Sequence, residues 1–223
     1  MISTESRIER LKTFHKEGRL NRVKWQDTGP NGKERSLRPL AAFSPEAGAA
    51  KSASACHEAM PPWLAHLTPF LASVGSQEAW PSVASRYIDV LPKLLALSSE
   101  KLSSLEYETR AIAIQEALTR TKNEKAIKKL EDTVALLNQA AQGIVVKDWP
   151  NYEKAPHNLV HGMAQEKPQT TASIMFYAKR VHRDVVKLEQ KEHEGRTKAR
   201  KRAEEGPWDT MIDKVLSTWE AAV

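Results

Sequence analysis

Three groups of residues have side chains and spacings that occur in catalytic or metal-binding sites. His157 and His161 are four residues apart, a spacing that lets two imidazoles share a metal ion on one face of a helix. Ser98 and Lys101 match the Ser-x-x-Lys pattern, in which a lysine activates a serine nucleophile. Cys56 is followed directly by a histidine, which places a thiol beside an imidazole in the sequence.

Each pattern lacks a part that its chemistry requires. A metalloprotease motif has a glutamate where this chain has Asn158, and no third metal ligand is evident. Ser98 stands where a helix is expected to begin, which favours a helix cap, and the companion motifs of Ser-x-x-Lys enzymes are absent. Neighbouring side chains seldom face each other, so Cys56 is interpreted as a structural cysteine. There is no glycine-rich phosphate loop, and the sequence therefore predicts no enzyme, no cofactor and no metal.

One enzymatic alternative stays open. A site assembled from residues distant in the sequence, such as His157, His161 and Glu166, would require a bound metal ion. Elemental analysis of the purified protein tests this alternative.

The composition is that of a folded protein without membrane spans. The chain of 223 residues is 40% hydrophobic and 28% charged, which is ordinary for a globular domain. Its length permits a core that needs no disulfide or metal, and its single cysteine excludes an internal disulfide. No apolar run approaches the roughly 20 residues that cross a bilayer. These features predict a cytoplasmic protein.

Apolar residues recur every three or four positions through much of the chain, which predicts a mainly α fold built as an irregular helical bundle. The strongest pattern is a helical hairpin of two long helices joined near residues 121–123. A final helix is expected to begin at Pro207. The predicted helices cover residues 4–16, 61–73, 78–97, 99–120 and 124–142, a stretch from 170 or 171 onwards and a stretch from 207 onwards.

Two segments near the N-terminus are predicted to be non-helical. Residues 23–28 and 33–36 flank Asn31-Gly32, a dipeptide that supplies the positive φ of tight turns, and this predicts a short N-terminal β-hairpin. Residues 45–55 are rich in alanine, serine and glycine and lack large apolar side chains. They are therefore predicted to form a mobile loop.

The helices and breakers divide the chain into three parts. Residues 1–143 are predicted to form an N-terminal helical domain that carries a basic arm. Residues 144–169 contain three prolines and are predicted to connect this domain to the rest. Residues 170–223 are predicted to form a C-terminal helical hairpin. The apolar stripe of its last helix needs a cover, for which a binding partner and a second copy of the chain compete.

Positive charge is concentrated at two places. Residues 1–38, which we call the arm, contain ten Lys and Arg residues against five Asp and Glu residues and so supply most of the net charge of +6. Residues 196–202, which we call the basic segment, contain five basic side chains in seven positions. Either place favours an anionic partner, which can be a nucleic acid or an acidic protein surface. The residues predicted to contact a partner are Arg19, Arg22, Lys24, Trp25, Arg35, Arg196, Lys198, Arg200, Lys201 and Arg202.

The stretch from about residue 20 to 120 resembles a pattern found in small uncharacterised proteins that bacteria and their prophages encode. The resemblance lies in Glu34-Arg35, Leu40-Ala-Ala-Phe-Ser-Pro-Glu46, Cys56, Met60-Pro-x-Trp63-Leu64-x-x-Leu67-Thr68-Pro69 and Glu78-Ala-Trp80-Pro81. It implies a bacterial or phage origin and assigns no activity and no site residues. The expected location is then the cytoplasm of a bacterial host.

These observations lead to a prediction of a non-enzymatic macromolecule-binding protein. Because small phage proteins without enzymatic motifs often bind host or defence machinery, the first hypothesis is an anti-defence inhibitor of a bacterial nucleoprotein complex, similar to an anti-CRISPR protein. The alternative is a protein that binds nucleic acid directly through its basic helical patches.

Overall fold

The fold is mainly helical, with one short antiparallel β-hairpin near the N-terminus, and this confirms the predicted fold class. The structure is a computed structural model that describes residues 2–22, 24–28, 34–56, 59–121, 124–147, 149, 169–176, 178 and 197–223. For residues 26, 126 and 197–207 only the backbone is described. No helix in these ranges is both long and apolar enough to cross a membrane.

Helices account for most of the described elements. In chain order the elements are α1 (Thr4–Lys16), β1 (Gln26–Thr28), β2 (Glu34–Leu37), α2 (Pro39–Phe43), α3 (Pro45–Ala50), a 3-10 turn (Ala53–Cys56), α4 (Pro62–Ser73), α5 (Trp80–Leu95), α6 (Ser99–Leu118), α7 (Glu124–Ala141), α8 (residues 170–176) and α9 (Thr197–Ala222). The predicted boundaries of α1 and of α4 to α7 are confirmed to within a few residues.

Serine caps and glycine stops set several of these boundaries. The Ser3 side chain accepts a hydrogen bond from the backbone N–H of Ser6 and so caps α1. Gly18 follows α1 with φ +66°, a left-handed conformation that costs glycine little. Gly143 has φ +79° just after α7 and ends that helix in the same way.

The predicted β-hairpin is present as strands β1 and β2. Gln26 pairs with Leu37 and Asp27 with Ser36, and the register shifts by one residue after Asp27. The residues between the strands, 29–33, lie outside the described part of the chain. Leu37 is buried and also pairs with Leu20, which ties the hairpin to the chain that follows α1.

The prediction of a mobile loop at residues 45–55 is wrong. Ser44 accepts a hydrogen bond from the N–H of Ala47 and caps α3, which has Pro45 in its first turn. Gly48 lies so close to α2 that an added Cβ would come within 3.1 Å of the Ala41 Cβ. Small side chains form this part of the core because they let two backbones approach each other.

The prediction that the last helix begins at Pro207 is also wrong. Helix α9 begins at Thr197, ten residues earlier, and passes through Pro207. Proline removes one backbone hydrogen bond, whereas the preceding Ala, Lys, Arg and Glu residues are strong helix formers that continue the helix on its N-terminal side.

The apolar stripe of α9 is covered by the same chain. The Trp219 ring is fully buried and makes an edge-on contact with Trp63 of α4, with ring centroids 6.0 Å apart. Trp208 contacts Phe70 in a similar way at 6.4 Å. The stripe is therefore already buried within the chain. A dimer that formed through α9 would have to use another face of this helix. The buried residues of the stripe are Trp208, Met211, Ile212, Val215, Leu216 and Trp219.

One hydrophobic cluster spans both sides of the predicted connection at residues 144–169. It contains Leu11 and Leu64 from the first part of the chain together with Ile174 and Trp219 from the last part. Most of the predicted connection itself lies outside the described residues.

Polar contacts show the directions in which α5 and α6 run relative to α9. Asp209, near the middle of α9, contacts the turn before α5, and Arg86 within α5 contacts Glu220 near the C-terminal end of α9, so these two helices run parallel. Lys214 pairs with Glu116 of α6. Trp219, further along α9, donates a hydrogen bond to Thr109, which comes earlier in α6 than Glu116. Helix α6 therefore runs antiparallel to α9. The α4–α5 turn and the end of α6 therefore lie at the same end of the molecule.

Candidate basic surface

The residues that suggested catalysis do not form a catalytic arrangement where the structure describes them. The Ser98 side chain accepts a hydrogen bond from the backbone N–H of Lys101, which makes it the cap of α6. Cys56 is buried, and burial raises the pKa of its thiol, which is the opposite of what an activated thiolate needs. The other candidates, His57, His157, His161 and Glu166, lie outside the described residues.

Buried polar groups in the helical body pair with one another. The Arg110 side chain donates a hydrogen bond to Thr171 of α8 at 2.9 Å and pairs with Glu106. Thr68 and Tyr87 share a hydrogen bond of 2.7 Å, and burial raises the pKa of the tyrosine. Within the described ranges no three His, Cys, Asp or Glu side chains are close enough to hold a metal ion. These groups connect helices to one another.

The first arginines of the arm are bound inside the fold. Arg7 forms two hydrogen bonds to Glu46, at 2.7 and 2.9 Å, and lies in a buried position. Arg10 donates to the backbone carbonyls of Ala41 and Ala42 and also pairs with Glu34. Both guanidinium groups therefore hold α1 against the segment that contains β2, α2 and α3.

Two of the predicted contact residues also have internal partners. Arg19 pairs with Glu17, donates to the backbone of the β2 strand and lies 4.2 Å above the Phe14 ring. Arg22 donates to three carbonyl groups at the end of α4 and to Gln77. The distances to the carbonyl oxygens of Ala72, Val74 and Gly75 are 3.1, 2.9 and 2.7 Å. Arg22 therefore fastens the arm to the α4–α5 turn.

The remaining predicted residues of the arm lie on or beside the hairpin. Lys24 and Arg35 are exposed, and neither side chain pairs with an acid among the described residues. Trp25 is half-buried and packs against the core. The Arg38 guanidinium lies 5.5 Å from the centroid of the Trp25 ring. The side chains of Lys24 and Arg35 are therefore accessible to a partner, in contrast to Arg19 and Arg22, which have internal partners.

The basic segment lies on the first part of α9. Lys198, Arg200, Lys201 and Arg202 all belong to this helix, and Arg196 lies outside the described residues. Among the α9 residues whose side chains are described, the buried stripe runs from Trp208 to Trp219, and the basic segment lies N-terminal to it in the sequence. At a rise of about 1.5 Å per residue, residue 200 is about 12 Å along the helix from Trp208.

The arm and α9 both contact the turn between α4 and α5. Arg22 binds the carbonyl of Gly75, and the next backbone N–H, that of Ser76, donates to the Asp209 carboxylate at 2.8 Å. The turn is tight, because a Cβ on Gly75 would come within 2.6 Å of the Asp209 side chain. The structure thus brings one attachment point of the arm next to the residues that follow the basic segment.

Sequence reasoning did not single out Arg38, although its nearest aromatic neighbour, Trp25, was predicted to contact a partner. The register of the hairpin places Arg38 opposite Trp25, because the N–H of Arg38 donates to the carbonyl of Trp25 at 3.1 Å. A correct register prediction would therefore have identified Arg38. No protein-family model matches this chain, and neither a curated protein nor a solved structure is similar to it.

Proposed function

We propose that the protein is a non-enzymatic binding protein that engages a nucleoprotein complex through the arm and the basic segment. Its action would be that of a phage-encoded inhibitor of bacterial defence, of the anti-CRISPR kind. The observation that carries the proposal is the meeting of the arm and α9 at the α4–α5 turn. Arg22 of the arm and Asp209, which follows the basic segment, thus contact the same turn, although the two basic regions are 158 or more residues apart in sequence.

The internal pairing of the arm narrows the binding surface. Arg19 and Arg22 satisfy internal acceptors, so they position the surface more than they contact a partner. Lys24 and Arg35 are exposed and are therefore the arm residues expected to touch the partner. Lys198, Arg200, Lys201 and Arg202 are expected to contribute from α9. Several cations that act together give a strongly salt-dependent affinity.

The test uses purified RNA-guided surveillance complexes of bacterial defence systems as the probe. The wild type, the pair K24E/R35E and the triple variant R200E/K201E/R202E are compared for binding at moderate salt. The matched control is K101E/K147E, which reverses two exposed lysines outside the two basic regions. We expect each variant at the basic surface to lose at least tenfold in affinity and the control to change by less than about twofold.

Two results would refute the proposal. One is that the wild type binds none of these complexes at moderate salt. The other is that K101E/K147E loses as much affinity as the variants at the basic surface, since binding would then follow net charge and not a defined surface.

Direct binding of nucleic acid is the second candidate, favoured by the exposed cations Lys24 and Arg35, which pair with no acid in the described part of the chain. It predicts a gel shift that weakens steeply with rising salt and that disappears in R200E/K201E/R202E. An unchanged shift in that variant would exclude the basic segment as the nucleic-acid site.

A further inference from the structure

Arg38 is a half-buried arginine whose side chain has no acidic or carbonyl partner among the described residues. Its Nε is fully buried and donates no hydrogen bond. Its guanidinium lies over the Trp25 ring, and its side chain forms no hydrogen bond or ion pair with another described residue. In this respect it differs from Arg7, Arg10 and Arg22 of the same arm, which are bound by carboxylate or carbonyl oxygens.

An unpaired charged donor in a half-buried place costs stability. Such groups are almost always hydrogen-bonded in native proteins, so the unpaired Nε of Arg38 is unusual. Burial lowers the pKa of Arg38, and no neighbouring carboxylate contributes to that shift. An arginine remains protonated at neutral pH even so. The site is therefore a fixed positive charge, and its Nη groups, unlike the buried Nε, are the donors that an anion can reach.

The hairpin fixes the orientation of this charge. The N–H of Arg38 donates to the Trp25 carbonyl, so the two side chains lie next to each other on one face of the hairpin. A guanidinium that rests on an aromatic ring keeps its edge, with the N–H donors, free for a planar or tetrahedral anion. Asp27 and Ser36 follow on the same face, and Asp27 does not form an ion pair with Arg38.

We propose that Arg38, held against Trp25, binds one phosphate group of a nucleic-acid strand. A guanidinium can donate two hydrogen bonds to one phosphate. A strand repeats its negative charge along its length, and the exposed Lys24 and Arg35 on the same hairpin suit such a repeated anion better than a single carboxylate. This inference rests on the proposed function, because it names the chemistry that the basic surface recognises.

The first experiment measures binding of a fluorescein-labelled single-stranded DNA of about 15 nucleotides at several salt concentrations. The R38Q variant is expected to bind about tenfold more weakly, and the slope of log affinity against log salt is expected to fall by about one. R38K keeps the charge but loses the paired donors, so it should lie between the wild type and R38Q. D27N removes a negative charge from the same face and should bind more tightly than the wild type.

The control variant is K101Q, which removes one exposed positive charge at the start of α6. It should change the affinity by less than about twofold. Thermal unfolding of every variant shows whether a loss of binding comes from a loss of structure. If R38Q does not fold, the comparison of R38K and D27N with the wild type replaces it.

The second experiment observes the Arg38 Nε–H directly by ¹⁵N NMR of the wild type. Three probes are added separately: the oligonucleotide, inorganic phosphate and polyglutamate of similar charge. We expect the Arg38 signal to move with the oligonucleotide at low concentration and with inorganic phosphate only at millimolar concentration. Polyglutamate should leave it in place.

Several outcomes would overturn this inference while leaving the proposed function intact. One is that the wild type binds a surveillance complex while R38Q and the wild type bind DNA equally. Another is that only polyglutamate moves the Arg38 signal, which would indicate an acidic protein partner. A response to inorganic phosphate without one to the oligonucleotide would identify a site for the free ion. If the wild type binds neither the surveillance complexes nor the oligonucleotide, the proposed function itself is refuted.

Discussion

The arm and helix α9 both carry excess positive charge, but the fold anchors them by different means. In the arm the cations themselves are anchors: Arg7 binds Glu46, and Arg22 binds the carbonyl groups at the end of α4. In α9 the anchor is the apolar stripe from Trp208 to Trp219, and the cations precede it along the helix.

This difference shows that local charge excess does not by itself identify a binding surface. Of the arm residues predicted to contact a partner, Arg19 and Arg22 contribute to the stability of the fold through internal contacts. Lys24 and Arg35 have no such contacts with an acid in the described part of the chain. Substitutions should therefore separate into those that change stability and those that change binding.

The largest effect is expected at the anchor of α9. W219A removes a fully buried ring that packs on Trp63 and also a hydrogen bond of 3.0 Å from the indole N–H to Thr109. The free energy of unfolding should fall by about 4 kcal/mol, as is usual for the truncation of a buried tryptophan. Urea unfolding followed by circular dichroism measures it. W219F keeps most of the volume and should lose less than half as much.

The same experiment tests the predicted division into domains. If the single hydrophobic cluster unfolds as a unit, W219A should move one cooperative transition for the whole chain. Two separate transitions, of which only one moves, would support the independent domains predicted from the sequence.

A smaller effect is expected at the anchor of the arm. R22A leaves the carbonyl groups of Val74 and Gly75 without their donor, and stability should fall by about 2 kcal/mol. The matched control is R35A, which removes an exposed arginine from the same arm and should change stability by less than about 0.5 kcal/mol. Equal effects of the two substitutions in urea unfolding would contradict the distinction between anchoring and exposed arginines.

The pair of Arg7 and Glu46 should make stability depend on acid. Hydrogen bonds to the Glu46 carboxyl, above all from the Arg7 guanidinium and then from the backbone N–H, lower its pKa to about 2 from an ordinary value near 4.5. Because the pKa is lower in the folded state, the stabilisation is complete above about pH 5 and is lost as the pH falls towards 2. Glu46 is about half exposed, so screening by solvent reduces the contribution to about 1 kcal/mol.

The measurement is the difference in unfolding free energy between the wild type and E46Q at pH 7 and at pH 3. The wild type should be the more stable protein at pH 7, and the difference should shrink at pH 3. A constant difference would show that the ion pair does not contribute through its charge.

The smallest change in stability is expected in the basic segment. R200E/K201E/R202E should alter the free energy of unfolding by no more than about 0.5 kcal/mol, because the substitutions exchange charged side chains and leave the apolar stripe from Trp208 to Trp219 unchanged. The substitutions should leave the free energy of unfolding unchanged or raise it slightly, because negative charge near the N-terminus of a helix interacts favourably with the helix dipole. Thermal unfolding tests this, and a loss above about 1 kcal/mol would indicate that the segment packs on the body of the protein.

Much of the secondary structure could be predicted because it is encoded locally. The α1 boundaries follow from the Ser3 cap and Gly18, and the α6–α7 hairpin follows from regular apolar spacing. The errors have tertiary causes. Residues 45–56 fold because Gly48 and neighbouring alanines allow a close approach to α2, which hydropathy does not reveal. The cover of the α9 stripe comes from α4, α5 and α6, which are distant in the sequence.

The candidate surface could be predicted only in outline. The sequence located both basic regions but gave no sign that Arg22 and Asp209 bind the same turn, since they are separated by nearly the whole chain. It also gave no means to separate Arg19, which pairs internally, from the exposed Arg35. Arg38 gained significance only through its position beside Trp25.

The most direct test of the account is lysine acetylation of the protein, free and bound to a surveillance complex, with read-out by mass spectrometry. We predict that Lys24, Lys198 and Lys201 are protected in the bound state, whereas Lys101 and Lys147 react as they do in the free protein. Protection of Lys101 and Lys147 with unchanged reactivity at Lys24, Lys198 and Lys201 would contradict the claim that the arm and the basic segment form the binding surface.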